Sequence, residues 1–251
     1  MSEFTLVREY LLSRLGAENI GDGLAVTVVE SERRLHREMS YGYIHLVWIV
    51  AFGDSIIASV PPGTSEAVKA YIRGQVGKKD ITDRAFVFPL KALVEGEAKR
   101  LCGKTQCNCF SDLMFACDAE TLAPARPDVT PARVIGNSLE CCGDIHFPGH
   151  CLPDGIVYGI IEKGKIVSVA YAHQTGEYQD IVADIGVETS KRFRRKGYAR
   201  ACVNAVARHA IENGGESLYK CSPDNMASRH TALSAGYRPY GKSLIFSVKA
   251  E

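Results

Sequence analysis

Ile181-Val182-Ala183-Asp184-Ile185-Gly186-Val187 is a β-branched apolar run that passes through Glu188 and Thr189 into Arg192-Phe193-Arg194-Arg195-Lys196-Gly197-Tyr198-Ala199. The run reads as a strand. The alanine-rich stretch from Tyr198 to Asn213 reads as a helix, with Gly214-Gly215 as its stop. A helix start leaves backbone N–H groups without partners and carries the positive end of the helix dipole, which suits an anion. Gly197 lets backbone approach a ligand closely, Ala199 and Ala201 keep the first turn open, and Arg192, Arg194, Arg195 and Lys196 add charge. Strand, basic glycine turn and helix together read as a phosphate cradle.

Working outward, Gly155 to Glu162, Lys165 to His173 and Asp180 to Thr189 read as three strands joined by short turns, hence an antiparallel meander. Beyond the helix come a strand at Ser217 to Cys221 and a helix opened by Pro223-Asp224-Asn225 and closed by Gly236. A last strand covers Leu244 to Lys249. Upstream, Leu122 to Pro131 holds three prolines and reads as an extended connection. It separates a 1–125 domain from a 131–251 domain.

The first domain is α+β by pattern. Phe4, Leu6, Val7, Leu11, Leu12 and Leu15 have helical spacing, and Leu24 to Val29 is a short β-branched run. Ser31 to Met39 is charged and helix-compatible. Tyr43 to Phe52 and Ser55 to Val60 flank Gly53-Asp54 as a hairpin, ended by Pro61-Pro62-Gly63. Thr64 or Ser65 caps a helix to about Arg73, Phe86 to Phe88 is an aromatic patch, Lys91 to Leu101 is helix-like, and Cys102 to Phe110 is loop-like.

A 46% hydrophobic fraction in 251 residues supports a real core, and a formal charge of +1 argues against nucleic acid as a partner. Charged residues interrupt the N-terminal apolar positions, and the longest apolar run, Ile44 to Phe52, is too short for a bilayer. No membrane association and a cytoplasmic location follow as expectations. Nine cysteines are then expected as reduced thiols. Cys102, Cys107, Cys109 and Cys117, and Cys141, Cys142 and Cys151 beside His146 and His150, lack the paired spacing of zinc sites, so no metal is expected. Trp48, Tyr41, Tyr43 and His45 read as sheet packing rather than a substrate cage.

The order of elements across 131–251 resembles the GCN5-related N-acetyltransferase (GNAT) superfamily. Two motifs carry the resemblance: Arg194-Arg195-Lys196-Gly197-Tyr198-Ala199, against Arg/Gln-x-x-Gly-x-Gly/Ala, and Asn225-Met226-Ala227-Ser228 with Gly236-Tyr237, against Asn-x-x-Ser/Ala and Gly-Phe/Tyr. The resemblance implies an α/β (α+β) fold with a mixed, mostly antiparallel sheet and flanking helices. It also implies acetyl-CoA as co-substrate and a small-molecule or peptide amine as acceptor, acetylated by direct attack in a ternary complex. The pantetheine arm would pair with Gly186, Val187, Glu188 and Thr189. The diphosphate would rest on Arg194, Arg195, Lys196, Gly197, Tyr198 and Ala199, and Asn225 and Ser228 would contact the cofactor from the second helix.

Many members carry a tyrosine seven residues after that asparagine to protonate the thiolate; Ala232 stands here. Either Tyr219, Cys221, His230 or Tyr237 serves as acid instead, or the thiolate leaves without a dedicated acid; Glu188 and Asp184 are the candidates as base. His173 ends the strand next to the one that bears them. The rival readings are a non-catalytic acyl-CoA sensor and an enzyme using another acyl-CoA or a hydroxyl acceptor. Residues 1–125 would be a degenerate half of the same fold or a lid over the acceptor site.

Overall fold

The computed structural model describes residues 4–18, 26–38, 42–53, 55–75, 80–135, 140–146 and 155–250. Leu24, Met39, Tyr41, Asp54, His150 and Cys151, named above, lie outside them. The elements in chain order are α1 (Thr5–Leu15), β1 (Val26–Glu30), β2 (Tyr43–Phe52), β3 (Ser55–Val60), α2 (Glu66–Gln75), α3 (Arg84–Cys102) and β4 (Asn108–Cys117). There follow β5 (Ala132–Arg133), β6 (Glu140–Cys141), β7 (Val157–Glu162), β8 (Lys165–Ala172), β9 (Val182–Thr189), α4 (Tyr198–Glu212), β10 (Glu216–Cys221), α5 (Met226–Ser234) and β11 (Arg238–Lys249).

The chain forms two compact units. One holds Met1–Tyr10, Phe115–Lys220 and Asp224–Pro239; the other holds Leu11–Met114, Cys221–Pro223 and Tyr240–Glu251. The chain therefore changes unit inside α1, β4, β10 and β11, and once more between Pro223 and Asp224. The proline run at 122–131 lies within the first unit: Ala123 N–H donates to Ala235 O at 3.0 Å, and Asn204 Nδ2 of α4 donates to Ala123 O at 2.7 Å. Proline density makes that backbone extended, and extended backbone can still pack.

In the first unit the sheet runs β10-β9-β8-β7-β5, with β6 on β8. The meander β7-β8-β9 is antiparallel, and β10 joins β9 in parallel. This is the mixed, mostly antiparallel sheet with flanking helices that the sequence implied. Helix α4 lies against it through Ala201, Cys202, Val203, Val206, Ala207 and Ala210, all buried. Cys202 Sγ is 3.8 Å from Ser168 Oγ of β8, and Ser168 is paired with Thr189. Alternation along β9 then turns Ile185, Val187 and Thr189 toward α4, and Asp184, Gly186 and Glu188 to the opposite face.

In the second unit the sheet runs β1-β3-β2-β11, with β1 parallel to β3 and the rest antiparallel. Its core joins Leu46, Ile49, Ile56 and Phe246 of the sheet to Val68 and Ile72 of α2 and Phe86, Leu90 and Val94 of α3. Three local expectations are corrected here. Between Ser31 and Glu38 there is only a 3-10 turn at Glu32–Leu35. The patch at Phe86 to Phe88 belongs to α3, which begins under the Asp83 cap and runs through Pro89. Pro89 has no N–H for the carbonyl of Ala85, and Tyr71 Oη donates instead to Ala85 O at 3.5 Å and Phe86 O at 3.0 Å. The stretch read as loop to Phe110 already enters β4 at Asn108. None of the described helices is long and apolar enough to cross a membrane.

Candidate active site

Strand β9 has two different halves. Val182 to Ile185 pair with β10 on one side, in the register Glu216↔Val182 to Tyr219↔Ile185. Gly186 to Thr189 keep β8 on the other side, where Thr189 faces Ser168 and Gly186 faces Tyr171. Among the described residues no strand takes the β10 side of this second half. Its residues are all half-buried, so a row of peptide groups lies open at the edge of a fork whose apex is Ile185 and Tyr219.

The turn at the open end carries the local strain. Arg195 has φ +64° and Gly197 φ +81°, both left-handed, and α4 begins at the next residue. A non-glycine residue held there costs about 1–3 kcal/mol and gathers at ligand-binding loops. Gly197 to Ala199 are half-buried, whereas Arg194, Arg195 and Lys196 are exposed. Arg194 Nε donates to Thr189 O at 3.2 Å, and Lys196 Nζ lies 4.9 Å and 5.6 Å from the ring centres of Phe193 and Tyr198. Tyr198 Oη donates to Glu162 Oε1 at 2.5 Å, which ties the first turn of α4 to β7.

The two candidate bases are in unlike settings. Asp184 is buried, with 4% of its side chain exposed, and its Oδ2 takes Lys220 Nζ at 2.7 Å and Tyr10 Oη at 3.3 Å. Its Oδ1 is buried without a hydrogen-bond partner. Glu188 lies on the open half of β9, half-buried, with Oε2 accepting from His146 N–H at 2.8 Å. Asp144 Oδ2 accepts from Lys191 N–H at 2.8 Å, so the segment before His146 is tied down at the end of β9. Backbone and side-chain donors from Lys191 and Ser190 hold the Asp144 carboxyl below its usual range.

Tyr171 lies across from Gly186, where a Cβ would fall 2.7 Å from its Oη. Burial, with Glu188 and Asp184 nearby, pushes its phenol up to about 12. The His173 ring stacks edge-on to Tyr171 at 5.1 Å, and the His173 backbone N–H donates to the backbone carbonyl of Asp184 at 2.7 Å. Burial pulls the His173 imidazole below 6.5, Asp184 opposes this, and Lys220 adds to it.

The second motif is largely structural as it stands. Asn225 Oδ1 accepts from Ser228 N–H at 3.1 Å and so caps α5. Ser228 Oγ lies 2.7 Å from Tyr219 Oη, which places a pair of hydroxyls behind the fork apex. Of the other acid candidates, Tyr237 is buried against Ser217 Oγ at 2.7 Å and Cys221 is buried, while His230 is exposed. Ala232 is fully buried in α5. Among the described residues no group of three His, Cys, Asp or Glu is placed to hold a metal ion. A groove of about 200 Å³ runs between 125–131 and the outer face of α4, lined by Arg126, Tyr158, Asn204, Arg208 and His209 among others. No sequence pattern announced it.

Residues 132–237 match the model of the acetyltransferase (GNAT) family. No curated protein matches the chain. Among solved structures, a Drosophila protein superposes with a TM-score of 0.50 at 14% identity, over 78% of this chain and 70% of its own. A GCN5-related N-acetyltransferase from Kribbella flavida matches at 19% identity and a TM-score of 0.42, over 59% of this chain and 62% of its own. This chain thus spans less than two thirds of the Kribbella protein. A tandem GNAT protein from the clavulanic acid biosynthesis pathway matches at 10% identity and a TM-score of 0.42, over 100% of this chain and 96% of its own. The forked sheet, the left-handed glycine turn and the start of α4 all lie inside the segment, residues 132–237, that matches the model of the acetyltransferase (GNAT) family.

Proposed function

We propose that this domain is an acetyl-CoA-dependent N-acetyltransferase. The observation that supports the reading best is the open edge Gly186–Thr189, lying directly before a left-handed glycine turn and the N-terminus of α4. An amide-bearing pantetheine arm extended along that edge takes the backbone hydrogen bonds a neighbouring strand would take. The diphosphate then meets the N–H groups of Arg194 to Ala199 and the first turn of α4.

In this pose the thioester lies near the fork apex. The acceptor amine attacks the thioester carbonyl from the face that carries Glu188, whose carboxylate takes the amine proton. A C–N bond forms, the C–S bond breaks, and the thiolate leaves toward Tyr219 and Ser228, whose paired hydroxyls return a proton. Asp184, locked by Lys220 and Tyr10, holds the sheet together instead of moving protons. Asn225 acts as the cap that sets Ser228 in place. A sensor that binds acyl-CoA without turnover is the second reading. It is favoured by Ala232 at the usual tyrosine position and by the 1% exposure of Tyr219.

Thermal unfolding with CoA tests binding first: ligand at a hundred times its dissociation constant adds about 2.7 kcal/mol. Thiol release from acetyl-CoA across a panel of amines then tests turnover. Glu188→Gln should lower kcat by about 10²- to 10⁴-fold with CoA affinity unchanged. Binding without amine-dependent release would select the sensor, and no shift with CoA or any thioester would remove both readings.

A further inference from the structure

Gly197 is covered by a side chain from outside the family-matched segment. A Cβ built on Gly197 would fall inside contact distance of Arg126 Nη1, 3.1 Å from its Cζ and 3.6 Å from its Cδ. The guanidinium therefore lies against the turn itself. Two cations of that turn are engaged elsewhere, Arg194 on the Thr189 carbonyl and Lys196 over two rings. Arg126 is held in reach by its own segment, anchored three residues earlier where Ala123 bonds to Ala235 and Asn204.

The partner of Arg126 is an anion. Asp128 takes Nε through Oδ1 at 3.0 Å and Nη2 through Oδ2, a two-point pairing on an exposed carboxylate. Nη1, the nitrogen over Gly197, makes no hydrogen bond to any of the described residues. A guanidinium offers five N–H donors in a planar fork that fits phosphate oxygens as well as a carboxylate. We propose that Arg126 is a further ligand of the CoA diphosphate, and that Asp128 competes with the phosphates for its guanidinium. The inference rests on the CoA reading above and assigns to that site a residue its sequence motif does not contain.

Calorimetric titration of the full chain with CoA, 3′-dephospho-CoA and pantetheine tests it. Charge-assisted hydrogen bonds of this kind lead us to expect a rise of about tenfold or more in the CoA dissociation constant of Arg126→Ala. The same factor should appear with 3′-dephospho-CoA and vanish with pantetheine, which has no phosphate. Asp128→Asn should tighten CoA binding, because the neutral amide releases the guanidinium. Arg126→Ala within twofold of wild type overturns the proposal, as does an equal loss with pantetheine. A loss confined to CoA overturns the diphosphate assignment in favour of the 3′-phosphate, and weaker binding by Asp128→Asn overturns the competition. If wild type itself binds no CoA, the underlying reading fails; if wild type binds and Arg126→Ala binds equally, only this inference fails.

Discussion

Replacing Lys220 by methionine isolates the buried charge on which β9 and β10 are pinned. Lys220 Nζ is 2.7 Å from Asp184 Oδ2, and the two side chains are 20% and 4% exposed. Methionine keeps the aliphatic stem but leaves the carboxylate with one hydrogen bond, from Tyr10 Oη at 3.3 Å, while Oδ1 has no hydrogen-bond partner among the described residues. Removing one member of a buried pair costs about 3–5 kcal/mol, since the other charge stays buried and uncompensated. Partial exposure of Lys220 puts the expected loss at the lower end, about 3 kcal/mol. For a chain of this size each kcal/mol lowers Tm by about 2–4 °C, so a fall of about 6–12 °C is expected. Circular dichroism melts and urea titrations of wild type, Lys220→Met, Asp184→Asn and the double variant form the cycle. The double variant should recover most of the loss, because its amide carries no charge. A loss below about 1 kcal/mol, the value of an exposed pair, would refute the reasoning, as would a double variant no more stable than Lys220→Met.

Gly197→Val should abolish the CoA-dependent rise in Tm while leaving the far-ultraviolet spectrum intact. Its φ of +81° costs a branched residue about 1–2 kcal/mol, and the new side chain displaces Arg126. His173, held below 6.5, binds its proton more readily in the unfolded chain. Its share of stability is thus complete above pH 6.5 and lost as pH falls through the lowered folded value. His173→Gln should flatten the fall in urea midpoint between about pH 7 and 5; an unchanged slope would count against the burial argument. Tyr71→Phe strips the hydroxyl that serves the Ala85 and Phe86 carbonyls beside Pro89. About 1 kcal/mol should be lost in the urea titration.

The order β7-β8-β9, basic turn, α4, β10, α5 was legible in the chain because each signal is local: alternation, glycine stops, the Asn225 cap. The same locality explains the misses. Strand β4, Asn108-Cys109-Phe110-Ser111-Asp112-Leu113-Met114-Phe115-Ala116-Cys117, has no β-branched residue and was invisible to a propensity reading. Helix α3 passes through Pro89, beside which a hydroxyl from Tyr71, fifteen residues upstream of Phe86, meets the Phe86 carbonyl.

By itself the sequence determined the strand, glycine turn and helix start between 182 and 199, since a helix start and a left-handed glycine are set by neighbouring residues. Only the tertiary structure decided what each polar side chain faces. It ended the β9–β10 pairing at Ile185, buried Asp184 against Lys220 and Tyr10, and left Glu188 on the open half of the strand. It also laid Arg126 on Gly197, 71 residues away in the chain. Those outcomes depend on contacts between residues far apart in sequence, whose pairing no local periodicity encodes.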